Sequence, residues 1–240
     1  MRTLRRTLVM LVGLLVASAA TAEPLWSAGR TGWSIGVPSM ADEVVQYAAR
    51  ELKDALDGCS GANIRLANSI SPNRPTILVA SMEDKVLKPY LSKLGLTASE
   101  DEQCVVKLFK SGFLVIAGNQ PRATLHGVYD FLERHAGVRF YFPDEELGTV
   151  VPRQASVVVP DGVRKVTPDF LLRNPYFGGD GKWHVKDFGG CDVKSMHWMH
   201  LRLASTIIPC CHGSRDFKYI ERFGKTHPEY FALKKDGTRR

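Results

Sequence analysis

The feature that most constrains the fold is an alternation of short apolar runs with longer amphipathic stretches between Trp33 and about residue 160. The apolar runs are rich in β-branched and aromatic residues and are bounded by turn-forming residues, which is typical of strands. They cover Trp33–Val37, Ile64–Leu66, Thr76–Ala80, Val138–Phe142, Thr149–Val151 and Ala155–Val159. Strands interleaved with helices predict an α/β domain with a mixed sheet and two main helices.

Two stretches have helical periodicity. In the first, Ser39 and Asp42 form a predicted capping box, and Gly58 ends the segment. Its apolar positions are Ala41, Val44, Val45, Ala48, Leu52, Ala55 and Leu56. The second helix is predicted to start near Asn119, with Pro121 in its first turn, and to end at Gly137. Its predicted core positions are Leu125, Val128, Leu132 and Ala136.

A hairpin is predicted from Cys104–Phe109 and Phe113–Ala117, because two β-rich runs flank the turn residues Ser111 and Gly112. The periodicity is interrupted between Pro160 and Pro168, which predicts a domain boundary there. We therefore expect an α/β domain over residues 23–162 and a second, less regular region over 163–240. In the second region, residues 198–203 are predicted to end a helix and 206–208 to form a strand.

Residues 1–22 have the three parts of a secretory signal peptide. Arg2, Arg5 and Arg6 are basic, residues 8–17 are apolar, and Ala20-Thr21-Ala22 is a small-residue cleavage site. An uncleaved membrane anchor is the alternative, but the apolar run is shorter than the roughly 20 residues that span a bilayer. We expect a secreted or periplasmic protein that makes no membrane contact after cleavage.

Charge and cysteine content restrict the partners. Residues 163–240 carry 15 Lys and Arg against 8 Asp and Glu, so the basic excess lies in the last third. Without a nucleic-acid motif in an exported chain, we expect no nucleic-acid partner. The five cysteines are Cys59, Cys104, Cys191, Cys210 and Cys211. We expect most of them to be buried small residues, with room for one disulfide.

The first domain resembles the non-catalytic amino-terminal domain that precedes the catalytic barrel in bacterial α-glucuronidases and β-hexosaminidases. The resemblance covers residues 33–160 and is carried by Tyr47–Leu52, Ile77–Ala80, Phe113–Gly118, Gly127–Glu133 and Gly137–Pro143. A second resemblance covers Pro168–Arg173, which is similar to the entry into the first barrel strand of those enzymes. The later stretch Thr226–Leu233 is similar to exported bacterial proteins that share this architecture and are assumed to act on glycans.

These resemblances imply that residues 163–240 open an incomplete (β/α) barrel. A complete barrel takes about 250 residues. The paired carboxylates that a glycosidase needs are therefore expected outside this chain, which is interpreted as an amino-terminal fragment. The resemblance implies that the parent protein is a glycoside hydrolase and that this fragment alone is inactive. The implied partner is a glycan or polysaccharide, and a non-catalytic carbohydrate-binding or surface protein is the alternative.

Three residues are candidates for a sugar pocket. Arg173 corresponds to an arginine that binds sugar hydroxyls in the enzymes that this sequence resembles. The alternative is a surface arginine that makes an ion pair. Trp198 is a candidate stacking residue, with a core position as the alternative, and His212 is a candidate contact after a predicted strand. Glu229 fits a turn better than a catalytic site. The catalytic residues themselves are not identifiable.

A metal site is not expected, although five potential ligands fall close together in the sequence. They are His197, His200, Cys210, Cys211 and His212. Their spacing matches neither the paired Cys or His motifs of zinc sites nor the His-Glu-x-x-His helix. No dinucleotide fingerprint or P-loop is present in the sequence, so no cofactor is predicted.

Overall fold

The computed structural model describes residues 24–70, 74–99, 101–109, 112–142, 144, 147–159, 162–170, 173, 199–203 and 218–239. Within these ranges the chain forms a six-stranded mixed sheet with helices on both faces. The strands of this sheet are β1 (Ser34–Gly36), β2 (Arg65–Ala67), β3 (Thr76–Ser81), β4 (Cys104–Phe109), β5 (Phe113–Gly118) and β8 (Gly162–Val166). A separate hairpin pairs β6 (Arg139–Phe140) with β7 (Thr149–Val150).

The strand order in the sheet is β2-β1-β3-β5-β4-β8. The first four strands in this order are parallel, and β4 runs antiparallel to both β5 and β8. Each residue of β3 is buried, as expected for a central strand that is covered on both faces. The sheet continues through β8, beyond residue 162, where the sequence placed the end of the first domain.

Two helices, α1 (Glu43–Ser60) and α3 (Pro121–His135), cover one face of the sheet. Because side chains alternate along a strand, Ile77 and Val79 of β3 join the core under these helices. Their neighbours Leu78 and Ala80 join a smaller core on the other face. That core is covered by a 3₁₀ segment (Lys85–Tyr90) and the short helix α2 (Leu91–Leu94).

The residues described after β8 form short elements. A helical turn includes Met199 and His200, and the side chain of Met199 is buried in the core shared with α1 and α3. Further along lie α4 (Tyr219–Phe223) and a 3₁₀ turn (Pro228–Tyr230), neither of which contains a buried residue.

The predicted α/β class, the mixed sheet and the two main helices are confirmed. The capping box was wrong in detail, because Asp42 itself is the N-cap and its carboxylate accepts from the amide of Val44 at 2.8 Å. Residues 155–159 were predicted as a strand but make only an isolated bridge, from Ser156 to Ser27. The described residues at 170 and 173 are not in a strand, and the predicted strand at 206–208 lies outside the described residues.

Candidate functional site

One face of α3 carries three titratable residues at helical spacing, His126, Asp130 and Glu133. Residues four and three apart lie above one another on a helix, so these side chains share a stripe. The apolar positions of the same helix, including Leu125 and Val128, pack into the core under α1 and α3. The titratable stripe faces basic and aromatic residues from other parts of the chain. We refer to it, with Glu102 and Glu51, as the acidic face.

Glu102 lies at the centre of the acidic face, with its side chain only 3% exposed. It lies two residues before β4, and reciprocal bonds between Gln103 and Asn119 hold this stretch of backbone. Nε of Arg122 donates to Oε1 of Glu102, and Nη2 of Arg173 donates to Oε2. A carboxylate with so little access to water needs such partners, because an unpaired buried charge is strongly unfavourable.

His126 lies beside this pair, with its Nδ1 3.6 Å from Oε2 of Glu102. Burial lowers the pKa of His126 to about 3, and the positive charges of Arg122, Arg173 and Arg202 act in the same direction. The imidazole is therefore neutral at physiological pH. The negative charge of Glu102 is balanced by the two arginines and not by His126.

Asp130, one helical turn further along, forms a second ion-pair group. Its carboxylate accepts from Nε of Arg164 on β8 at 2.7 Å and from Nε of Arg134 at 3.1 Å. Burial alone would raise the pKa of Asp130, but the bonds and charges of Arg164 and Arg134 outweigh it and lower that pKa. This group connects α3 to the edge strand β8.

The helical turn at Met199 contacts the far end of the acidic face. Nη1 of Arg202 donates to Oε2 of Glu133 at 2.6 Å. The ring of His200 stacks on Phe140 with centroids 4.2 Å apart, and its Nε2 lies 3.5 Å from Oε2 of Glu51 on α1.

Glu51 also accepts a hydrogen bond from the hydroxyl of Tyr129 at 3.2 Å. Burial would raise the pKa of Glu51, but the hydrogen bond and charge of His200, together with the hydroxyls of Tyr47 and Tyr129, lower it. The carboxylate is therefore stabilised in its charged form between α1, α3 and the turn at residue 199.

The chemistry available to the acidic face follows from these partners. Glu102, Asp130 and Glu133 each bind at least one arginine, and Glu51 faces His200. The pKa values of Asp130 and Glu51 are lowered by these partners, so these two carboxylates are stabilised in their ionised form and are poorly suited to donate a proton. The arrangement therefore connects segments of the chain by charge. Within the described ranges, no group of three His, Cys, Asp or Glu side chains is arranged to hold a metal ion.

The structure brings one of the predicted sugar-contact residues into this cluster. Arg173 is 14% exposed, and besides Glu102 it donates to the carbonyl oxygens of Phe170 at 2.5 Å and Arg202 at 3.2 Å. It makes the ion pair that the sequence left as an alternative, while its role as a sugar contact stays a prediction. Trp198 and His212 lie outside the described residues.

Of the remaining sequence candidates, Glu229 lies away from this cluster, His200 contacts it, and most of the others lie outside the described ranges. Glu229 is exposed in the 3₁₀ turn, and its Oε1 lies 3.0 Å from Nδ1 of His227. Of the grouped potential metal ligands, only His200 is described, and it contacts Glu51 and aromatic rings. Cys59 and Cys104 are buried free thiols, as expected.

Sequence reasoning missed the acidic face. The spacing of His126, Asp130 and Glu133 was available as a signal, because polar residues recur at four and three positions on the helix beside its apolar stripe. The partners were not predictable in the same way. Glu102 and Arg173 are 71 residues apart, and no local pattern connects them.

No protein-family model matches the chain, and the search of curated proteins found no match. Solved structures give partial likenesses. A GH115 4-O-methyl-α-glucuronidase with specificity for decorated arabinogalactans has a TM-score of 0.42 at 13% identity, over 60% of this chain and 18% of its own. CpGH84D has a TM-score of 0.37 at 13% identity, over 64% and 23%. A family 89 glycoside hydrolase from Clostridium perfringens has a TM-score of 0.35 at 10% identity, over 66% and 15%.

The chain thus spans less than a quarter of the length of each of these proteins. The structural neighbours are glycoside hydrolases at low identity and partial coverage. In the part of the chain that the structure describes, no helix is both long enough and apolar enough to cross a membrane.

Proposed function

We propose that this chain is the amino-terminal part of an exported, glycoside hydrolase-like protein that acts on polysaccharide, with the catalytic carboxylates outside this chain. Residues 23–162 are then an accessory domain, and 163–240 open the catalytic barrel. Export fits this role, because polysaccharides too large to enter a cell must be met outside it.

The observation that carries the proposal is the pairing of the buried carboxylates with arginines. A glycosidase needs two carboxyl groups on either side of a sugar bond, with one of them able to donate a proton. Glu102 and Asp130, the two buried carboxylates of the acidic face, are both bound by arginines. This supports an accessory role for the α/β domain and a catalytic pair located elsewhere in the protein.

The proposal is tested by extending the chain. Residues 23–240 and a protein encoded by the reading frame continued past Arg240 are incubated with acidic and neutral polysaccharides, and new reducing ends are measured. We expect release only from the extended protein, and loss of release when its paired Asp or Glu residues are changed to Asn or Gln. Turnover by 23–240 alone, or a stop codon directly after Arg240, would show that the proposal is wrong.

A non-catalytic carbohydrate-binding protein is the second candidate, and exposed rings in the last segment favour it. Tyr230 is 59% exposed and stacks on His227 with centroids 4.7 Å apart. An exposed aromatic face offers apolar area to a sugar ring. The variant Tyr230→Ala is compared with Tyr141→Ala, an equally exposed tyrosine after β6, in affinity gels that contain polysaccharide. Selective loss of retardation for Tyr230→Ala, without turnover in the extended protein, favours this candidate.

A further inference from the structure

The acidic face is covered by residues that come from beyond the first domain. Arg173 contacts Glu102, His200 contacts Glu51, and Arg202 contacts Glu133. The three acidic residues lie on three different elements, namely α1, the stretch before β4, and α3. Their three basic partners all lie in the second region, which meets the acidic face at residue 173 and at the stretch 199–203.

We propose that the acidic face is a docking surface for the opening of the second region, in which Arg173, His200 and Arg202 are positioning residues. The accessory domain and the opening of the second region then form one unit instead of two domains on a flexible linker. This inference does not depend on the proposed function.

Burial supports the docking role of this segment. Met199 is 4% exposed and belongs to the core cluster formed with α1 and α3. The neighbouring His200 ring is in contact with two aromatic rings, stacked on Phe140 and edge-on to Tyr129 at 4.9 Å. A buried apolar side chain beside the ion pairs of Arg173 and Arg202 is the arrangement expected of a specific interface. In such an interface, apolar burial contributes affinity and the ion pairs fix the relative position of the two surfaces.

Backbone geometry gives independent support. Arg202 has a φ of 60°, in the left-handed region that non-glycine residues rarely adopt. Such a conformation persists only where the surroundings hold it. Here the Arg202 side chain is held by Glu133, its carbonyl accepts from Arg173, and its amide donates to Met199 at 2.9 Å. The second region is therefore held at this point by contacts on both its backbone and its side chains.

Arg173 connects the stretch at residues 199–203 to the first domain. Nη2 of its guanidinium donates to Glu102 of the first domain. Nη1 donates to the carbonyl of Phe170, and Nε donates to the carbonyl of Arg202. Lysine has a single charged nitrogen and lacks this planar fork. Arg173 therefore determines the position of Arg202 relative to the accessory domain by bridging them directly.

The test is a charge swap read by hydrogen exchange of the peptide containing residues 199–203 in the whole chain. Glu133 and Arg202 are partly exposed, at 24% and 33%, so replacing them should leave the core folded. Glu133→Arg and Arg202→Glu should each speed exchange of this peptide by about threefold, the scale of a partly exposed ion pair. The double swap should return the rate towards that of the unchanged protein.

Arg173→Lys should have a larger effect on the same peptide, on the order of tenfold, because it removes the bridge and leaves a buried carboxylate with fewer donors. Asp101→Asn, an exposed neighbour of Glu102, is the matched control and should leave the rate unchanged. The proposal is overturned if the peptide exchanges as fast as an unstructured one in the unchanged protein. It is also overturned if the single swaps have no effect, or if the double swap is as fast as both singles combined.

Discussion

Replacing Glu102 by Gln should destabilise the protein substantially, because it removes the negative charge at the centre of the acidic face. Glutamine has nearly the same shape, but one of its two terminal atoms becomes a donor and faces an arginine. Arg173, which is 14% exposed, then loses the carboxylate of Glu102 while its positive charge stays largely away from water. Removing one partner of a buried ion pair lowers the free energy of unfolding by about 3–5 kcal/mol.

The lower end of that range applies here. Arg122 is 35% exposed, so water compensates much of its lost contact. Counting the Arg173 side alone gives a loss of about 3 kcal/mol in the free energy of unfolding. In a protein of this size, each kcal/mol lowers Tm by about 2–4 °C, so we expect a fall of roughly 6–12 °C.

The assay is thermal unfolding at pH 7, followed by circular dichroism, with Asp101→Asn as the control for a local charge change. A double variant, Glu102→Leu with Arg173→Met, replaces both charges by apolar groups and should lose less than the two single changes together. A fall in Tm of less than about 2 °C for Glu102→Gln, set against that expected range, would refute the reasoning. Simple additivity in the double variant would refute the pairing of Glu102 with Arg173.

Three further predictions concern buried positions. The pKa of His126 is about 3 in the folded protein, below its value in the unfolded chain, so the unfolded chain binds the extra proton and stability falls as the pH falls from 6.5 towards 3. When the free energy of unfolding is measured in urea at pH 7, 6 and 5, His126→Gln should reduce its dependence on pH by up to about 1.4 kcal/mol per pH unit. An unchanged pH dependence would contradict the assignment. Gly118→Ala would bring a methyl group within 2.3 Å of the backbone nitrogen of Thr124 and should cost about 3 kcal/mol in urea unfolding, whereas Gly32→Ala, with no atom within 4 Å, should not. Burial and the charge of nearby Asp130 raise the pKa of the Cys104 thiol to about 12, so iodoacetamide at pH 8 should label it, by mass spectrometry, only after unfolding.

Much of the fold was predictable because its signals are local. The apolar period of α1, the pairing of the neighbouring strands β4 and β5, and Pro121 in the first turn of α3 each depend on residues within a few positions of one another. Elements without a local signal were missed. The 3₁₀ segment at 85–90 contains Pro89, and β8 is an edge strand whose residues are all exposed or half-buried, so neither has a clear apolar period.

The sequence by itself determined the α/β class, the two main helices and the presence of Arg173 as a residue able to bind oxygen ligands through several donors. Only the tertiary structure decided what those donors bind. Helices and turns are stabilised by neighbours along the chain, whereas an ion pair depends on the distance between charges that folding brings together. Arg173 and Glu102, 71 residues apart, meet only after the sheet and α3 are assembled. Arg173, which the sequence predicted to contact sugar, therefore lies in the contact between the two regions because of the tertiary structure.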